Sequence, residues 1–246
     1  MEPKRARSPR LYCTAELGAG LSVALSRDQA HYVHGVMRLG VGGHLRLFNG
    51  RDGEWLGTIS AAGKRGGTAV CTQKLADAVA PPDIDYLFAP LKAARLDFIA
   101  QKATELGARR LRPVITARTI VTRVRIERLQ ANAVEAAEQC ELVCVPEVLP
   151  QEPLGRVLDN WDAARRLIFC DEAGAGTSPL EVLQAMAPGP LAVLIGPEGG
   201  FTPQERRRLL ALPFVTAVSL GPRIMRADTA AVAILALVQA TLGDWA

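Results

Sequence analysis

Apolar and polar positions alternate in short stretches along the first third of the chain, with glycine between them. Leu21–Leu25, His44–Phe48 (closed by Asn49-Gly50), Glu54–Ile59 and Thr68–Cys71 each read as a β-strand. Turn signals at this spacing predict a small antiparallel sheet or barrel. One helix interrupts it over Ser26 to Leu39, where Ser26 can cap and Ala30, Val33 and Met37 recur at helical spacing. From Ala76 to Asp85 the chain contains Pro81-Pro82, which continues neither a helix nor a central strand, and the domain boundary is placed there.

Beyond the boundary the period changes. Strands at Tyr86–Ala89, Leu111–Thr116, Leu167–Cys170, Leu191–Ile195 and Val215–Leu220 alternate with helices over Leu91–Leu106, Arg125–Cys140 and 203–212 and one opening near Asp228. This alternation predicts an α/β layer with a mainly parallel sheet, so a small domain (1–75) precedes an α/β domain (76–246). The longest unbroken apolar run, Ala230–Val238, has nine residues. A membrane span needs roughly 18, which excludes an integral membrane protein built on helices. The basic start, with Lys4, Arg5, Arg7 and Arg10, is followed by no apolar signal core, and the expected location is the cytoplasm. Five cysteines form no C-x-x-C pair and have no histidine at ligand spacing, so free thiols are expected, and no metal site.

Charge is segregated along the chain. The net value is +4, but residues 92–130 carry a balance of +7, residues 131–172 one of −6 and residues 1–75 one of +6. Two basic segments suit a polyanion such as RNA, because phosphate contacts supply most sequence-independent affinity; a salt-bridged, solvated surface is the competing explanation.

The segment richest in chemistry is 191–205. A buried strand runs into Gly196-Pro197-Glu198-Gly199-Gly200, and Thr202, Pro203 and Glu205 then form a capping box at a helix start. The device recurs where strand Val215–Leu220 ends in Gly221-Pro222. A right-handed crossover can set these two strands side by side and parallel, which sends both Gly-Pro loops out of one sheet edge, where α/β folds bind ligands. Glycine lets a flat ligand approach backbone N–H and C=O groups that can read an adenine edge. Leu167–Gly176 imitates a nucleotide loop but lacks the third glycine of G-x-G-x-x-G, and no phosphate-binding G-x-x-x-x-G-K-[ST] is present. No histidine stands beside a nucleophile elbow, which leaves covalent catalysis without a triad.

Leu194–Phe201 together with Leu220–Ala230 resembles the paired signature of the RsmE family, the small-subunit (16S) ribosomal RNA uridine-N3 methyltransferases of the SPOUT superfamily. Arg10-Leu11-Tyr12, His31 with Val36–Gly40, Gln101–Gly107, Arg118, Glu138-Gln139-Cys140 and Val145-Pro146-Glu147 extend the likeness over nearly the whole chain. The resemblance implies a PUA-like β-barrel, then a SPOUT α/β domain closed by a trefoil knot, and a homodimer. It implies S-adenosyl-L-methionine held by Leu194, Ile195, Gly196, Pro197, Glu198, Gly199, Gly200, Leu220, Gly221, Ile224 and Met225. It also implies small-subunit ribosomal RNA as the substrate, expected in the assembled subunit. Two departures stand out: Glu141-Leu142 occupies a place where a basic residue is common, and Arg226-Ala227-Asp228-Thr229 replaces Arg-Thr-Glu-Thr.

Methylation at N3 requires alignment, loss of the N3 proton and stabilisation of charge on the uracil carbonyls. Arg226, beside the expected methyl donor, is assigned to the charge; its alternative is an ion pair with Asp228 or Glu198. Glu138 is assigned as the base; its alternative is a surface ion pair. Arg10, Arg38, Arg118, Arg123 and Arg125 are expected to hold RNA phosphates. Rival functions are a SPOUT ribose 2′-O-methyltransferase and a non-catalytic RNA-binding assembly factor, which product nucleoside analysis and cofactor titration would separate.

Overall fold

The structure, a computed structural model, describes residues 8–63, 66–172 and 177–246. Lys4, Arg5, Arg7 and the glycine-rich end of the Leu167–Gly176 segment therefore lie outside the described residues. The chain divides into two units, Met1–Ala80 with Ala137–Val145, and Pro81–Ala136 with Pro146–Ala246.

The first unit contains β1 (Arg10–Tyr12), β2 (Ser22–Leu25), α1 (Arg27–Ala30), β3 (His44–Phe48), β4 (Glu54–Gly63) and β5 (Gly66–Ala76). The sheet order is β1-β3-β4-β5-β2, with β1 parallel to β3 and the other pairings antiparallel. Alternation places Leu45 and Leu47 of β3, Val23 and Leu25 of β2 and Ile59 of β4 in one core with Val33. Ser26 caps α1 as expected, in a reciprocal capping box with Gln29. The continuous helix expected to Leu39 does not form: after Ala30 the chain adopts π-helical geometry over His31–Val36. β-Branched Val33 and Val36 and the intervening Gly35 favour α-helix weakly, and the turn ends with Arg38 in the left-handed region at φ 55°.

The structure corrects the role of Arg10. This side chain is 3% exposed; it pairs with Glu54 at 3.1 Å, donates to the carbonyl oxygens of Ala137 and Leu142, and lies 3.8 Å from the Phe48 ring centroid. A guanidinium enclosed on every side cannot reach an RNA phosphate. Arg46 completes the network, pairing with Glu54 at 3.3 Å and with Glu141 at 2.7 Å. The departure at Glu141-Leu142 thus has an internal use: Glu141, at φ 59°, is an ion-pair partner, and Leu142 offers its carbonyl to Arg10.

The second unit holds β6 (Ile84–Phe88), α2 (Ala93–Glu105), β7 (Arg110–Ile115), α3 (Ile126–Gln139, whose last three residues group with the first unit), β8 (Glu147–Val148) and β9 (Glu152–Pro153). It continues with α4 (Leu154–Asp159), β10 (Arg166–Cys170), α5 (Pro179–Gln184), β11 (Leu191–Ile195), α6 (Pro203–Leu210), β12 (Val215–Val218) and α7 (Ala227–Leu242). The strands run parallel in the order β12-β10-β11-β6-β7-β8, and β9 pairs with β7. All five residues of β6 and of β11 are buried, as expected for strands covered on both faces. One expectation is corrected here: β11 and β12 are parallel but not neighbours, because β10 lies between them.

Much of the basic character of 92–130 is neutralised within this unit. Asp85, 1% exposed, takes Arg110 at 2.5 Å and Arg112 at 3.3 Å, and Asp83 takes Arg109, Arg110 and Arg165. Arg128 pairs with Asp97, and Lys102 with Glu105. Asp97 and Glu105 already count in the balance of this segment, whereas Asp83 and Asp85 lie outside it, before and on β6, so a local charge sum does not register their pairing.

Arg10→Ala leaves Glu54 buried with Arg46 as its remaining cation. We expect a loss of about 3 kcal/mol in denaturant-unfolding stability. A surface phosphate contact would give a change near zero.

Candidate functional site

The C-terminal ends of β10, β11 and β12 meet at one edge of the parallel sheet, since parallel strands point their ends the same way. From β11 the chain enters 196–201, which Thr202 ends as the N-cap of α6; its hydroxyl accepts from the Glu205 amide while the Glu205 carboxylate accepts from the Thr202 amide. Glu205 also accepts from the Ala117 amide at 2.8 Å, and Arg118 donates to the Gly199 carbonyl at 2.8 Å. The loop after β7 is thereby fastened to the loop after β11. Burial alone would raise the Glu205 carboxyl, but the Ala117 and Thr202 amides, the Thr202 hydroxyl and the Arg118 charge outweigh it and hold the carboxyl below its ordinary value.

The loop after β11 and the loop after β12 (219–226) line a cavity of about 400 Å³, within the size range of small-molecule sites. Ile195, Gly196, Pro197, Glu198 and Gly200 line it from the first loop; Leu220, Gly221, Ile224, Met225 and Arg226 line it from the second. Two residues expected here are not in the lining. Leu194 alternates to the other sheet face and is fully buried in a core with Leu87 and Phe169. Gly199 instead gives its carbonyl to Arg118.

The two loop glycines act differently. Gly221 adopts φ +107°, and an added Cβ there would meet nothing within 4 Å, so backbone conformation alone restricts the position. At Gly196 an added Cβ would run into the Phe201 ring, 2.9 Å from Cζ, and that ring is packed edge-on against Phe169 at 5.1 Å. Glycine at 196 therefore serves loop packing as well as ligand space.

Sequence reasoning missed the contributions of β10 and α2. Cys170, Asp171 and Glu172 line the cavity because β10 is the central strand of the three. Burial pushes the Cys170 thiol up to about 12, so it stands there as a neutral sulfur, and Asp171 is held by Arg206 at 2.8 Å. Arg95, in the first turn of α2, reaches the cavity from beyond β6 and pairs with Glu198, and with Asp228 at 3.8 Å. The strand-end rule applied to β6 as well as to β11 would have pointed to this residue.

Arg226 is the N-cap residue of α7, exposed, and among the described residues its guanidinium has no hydrogen bond or ion pair. Its alternative role, a pair with Asp228 or Glu198, is not what the structure shows, because Arg95 takes both carboxylates. Glu138 belongs to the first unit, accepts from the Tyr12 amide at 2.8 Å and is not in the cavity lining. Its carboxylate holds backbone, which argues against a base in this cavity. Arg38, Arg123 and Arg125 are exposed, and among the described residues their side chains have no ion pair. Among the described residues no group of three or more His, Cys, Asp or Glu could hold a metal ion, and no helix is long and apolar enough to cross a membrane.

Comparison with known proteins gives a consistent result. A family model described as an RNA methyltransferase domain matches residues 79–239, and one described as an RNA methyltransferase PUA domain matches 25–70. The chain is 31% identical over 233 residues to ribosomal RNA small subunit methyltransferase E of Rickettsia conorii, covering 94% of each chain. Its fold is similar to that of a ribosomal RNA small subunit methyltransferase E from Neisseria gonorrhoeae bound to S-adenosyl methionine (TM-score 0.87, 28% identity, 98% and 100% of the two chains). A Legionella pneumophila methyltransferase in complex with the same bound cofactor is also similar (TM-score 0.84, 29% identity, 97% and 99%).

Glu205→Gln should weaken the start of α6 by about 1 kcal/mol at neutral pH. A depressed carboxyl stabilises the folded state above its unfolded pKa of about 4.3 and ceases to as pH falls through the folded value. Unfolding curves of the two proteins should therefore converge only as pH falls below the ordinary carboxylate range; a gap that persists undiminished there would contradict the charge-based account.

Proposed function

We propose, because the chain belongs to the ribosomal RNA small subunit methyltransferase E family, that it methylates N3 of a uridine in small-subunit ribosomal RNA. It is an S-adenosylmethionine-dependent ribosomal RNA methyltransferase. The observation that carries the proposal is the convergence of both Gly-Pro loops on one cavity at the carboxyl edge of the sheet.

The cavity suits the cofactor on its own terms. Apolar Ile195, Leu220 and Met225 can flank a flat base, the backbone of 220–225 offers polar groups to its edge, and an added side chain at Gly221 would be aimed into open space. When bound, S-adenosylmethionine supplies an electrophilic methyl group, so the chain needs no nucleophile of its own. Its residues must hold the uracil N3 in line, exclude water and balance charge. Arg226, at the cavity rim and without an ion pair among the described residues, is suited to the negative charge on the uracil carbonyls. Glu138 is not carried into this scheme, since its carboxylate already serves Tyr12. Arg118, Arg123 and Arg125, on the loop and helix start after β7, and Arg38 in the first unit, are proposed to hold RNA phosphates; Arg10 is excluded by burial. We further propose a trefoil knot, for which the placement of β12 beyond β10 followed by the return of the chain into α7 gives support, a cytoplasmic homodimer, and the assembled subunit as substrate.

Three measurements test this reading. Gly221→Val should abolish S-adenosylmethionine binding in calorimetry and lower the melting temperature by the backbone strain of a β-branched residue at φ +107°; unchanged affinity would remove the site. Arg226→Ala should lower kcat by about 10²-fold with cofactor affinity kept within about twofold, as for loss of one charge-stabilising donor, and the product nucleoside should be N3-methyluridine, not a 2′-O-methyl nucleoside. Arg123→Ala should make the slope of log RNA affinity against log salt shallower by roughly 0.7 to 0.9; a wild-type slope would move the RNA track away from this loop.

A further inference from the structure

We infer that Arg95 is a positioning residue that ties the two cofactor loops to one another. Arg95 stands in the first turn of α2, on neither Gly-Pro loop, yet its guanidinium pairs with Glu198 of the 196–201 loop and, at 3.8 Å, with Asp228 at the start of α7, immediately after the 219–226 loop. These two loops supply most of the cavity wall, and they leave strands that are not neighbours in the sheet, β10 intervening. β10 fixes the spacing of the two strands through its ladders to each, but no β-ladder bond joins β11 to β12 directly, so beyond the strand ends the spacing of the loops is left to side chains. A planar guanidinium with five donors can serve two carboxylates at once, which an ammonium does only as a point charge.

The side chains of Arg95, Glu198 and Asp228 are 34%, 40% and 18% exposed. Solvated pairs of this kind contribute little by themselves. A ligand that fills the cavity removes water from all three, and in lower dielectric the same pairs strengthen. The tie therefore acts mainly in the bound state, where it closes the loops on the cofactor. Asp228 sits at the long end of the pairing distance. Arg95 occupies both carboxylates, and Arg226 has no ion pair among the described residues.

This inference rests on the cofactor reading of the cavity, and the test separates the two. S-Adenosylmethionine affinity of the full chain would be measured by calorimetry for Arg95→Ala, Arg95→Lys, Asp228→Asn, the double variant Arg95→Ala/Asp228→Asn, and Gly221→Val, with steady-state kinetics alongside. Arg95→Ala should raise Kd at least about fivefold, with Arg95→Lys recovering part of the loss. Asp228→Asn should have a smaller effect, and the double variant should match Arg95→Ala within about twofold, because a broken tie cannot be broken again. The loss should fall on KM for the cofactor more than on kcat. Wild-type affinity in Arg95→Ala, multiplied effects in the double variant, or a loss confined to kcat would overturn the inference. Should Arg95→Ala fail to fold, Arg95→Lys and Glu198→Gln carry the same comparison. Lost binding in Gly221→Val beside wild-type affinity in Arg95→Ala removes the tie and keeps the cavity; wild-type affinity in Gly221→Val removes the cavity reading itself.

Discussion

Parallel strands must end at a common edge, and in the second unit this brings together chain segments far apart in sequence. β10, β11 and β12 release their chains side by side at that edge, and β6 adds the start of α2. Backbone in such a place has few ladder partners left, so it must bend sharply and present free N–H and C=O groups. Gly196-Pro197 and Gly221-Pro222 provide the bends, and the capping box at Thr202 fixes where the first loop stops. A cavity formed by backbone needs only a few side chains to become a methyltransferase site. Arg226 lines the cavity, and Arg95 pairs there with Glu198 and Asp228.

Arginine is used in three distinct ways. In the first unit Arg10 is a buried connector, linking β1 to Glu54 of β4 and to carbonyls at the end of α3 and just beyond it. At the amino edge of the parallel sheet, Arg109, Arg110, Arg112 and Arg165 neutralise Asp83 and Asp85, so that two carboxylates near the core are not left uncompensated. At the carboxyl edge Arg95 is paired, Arg118 is half committed through Gly199, and Arg226 has no partner among the described residues. A sum of charges over 92–130 cannot tell these apart. Exposure and partner can, and they leave Lys92 at the start of that segment and Arg118, Arg123 and Arg125 towards its end as its exposed candidates for phosphate.

The elements were legible in the sequence wherever the local period was strong. Leu191–Ile195 and His44–Phe48 were read with their observed bounds, and Ser26 and Thr202 announced their caps. Short elements escaped notice. β1, β8 and β9 hold three residues or fewer and α4 and α5 six each, too little chain for periodicity to register. The helix read through Leu39 failed at Ala30 because spacing says where apolar residues recur and nothing of whether the ladder beneath them is α or π.

By itself the sequence determined the two fold patterns, the two Gly-Pro bends and the family likeness, because each is written in residues adjacent along the chain. Tertiary structure decided the rest: that β10 separates β11 from β12, that Leu194 faces a core while Ile195 faces the cavity, that Arg10 is buried while Arg226 has no partner among the described residues, and that Arg95 belongs to the site at all. The reason is the range of the forces involved. A turn or a cap is settled by a few neighbouring dihedrals and hydrogen bonds. The partner of a charge and the neighbour of a strand are settled by which distant segments the packed core brings within a few ångströms.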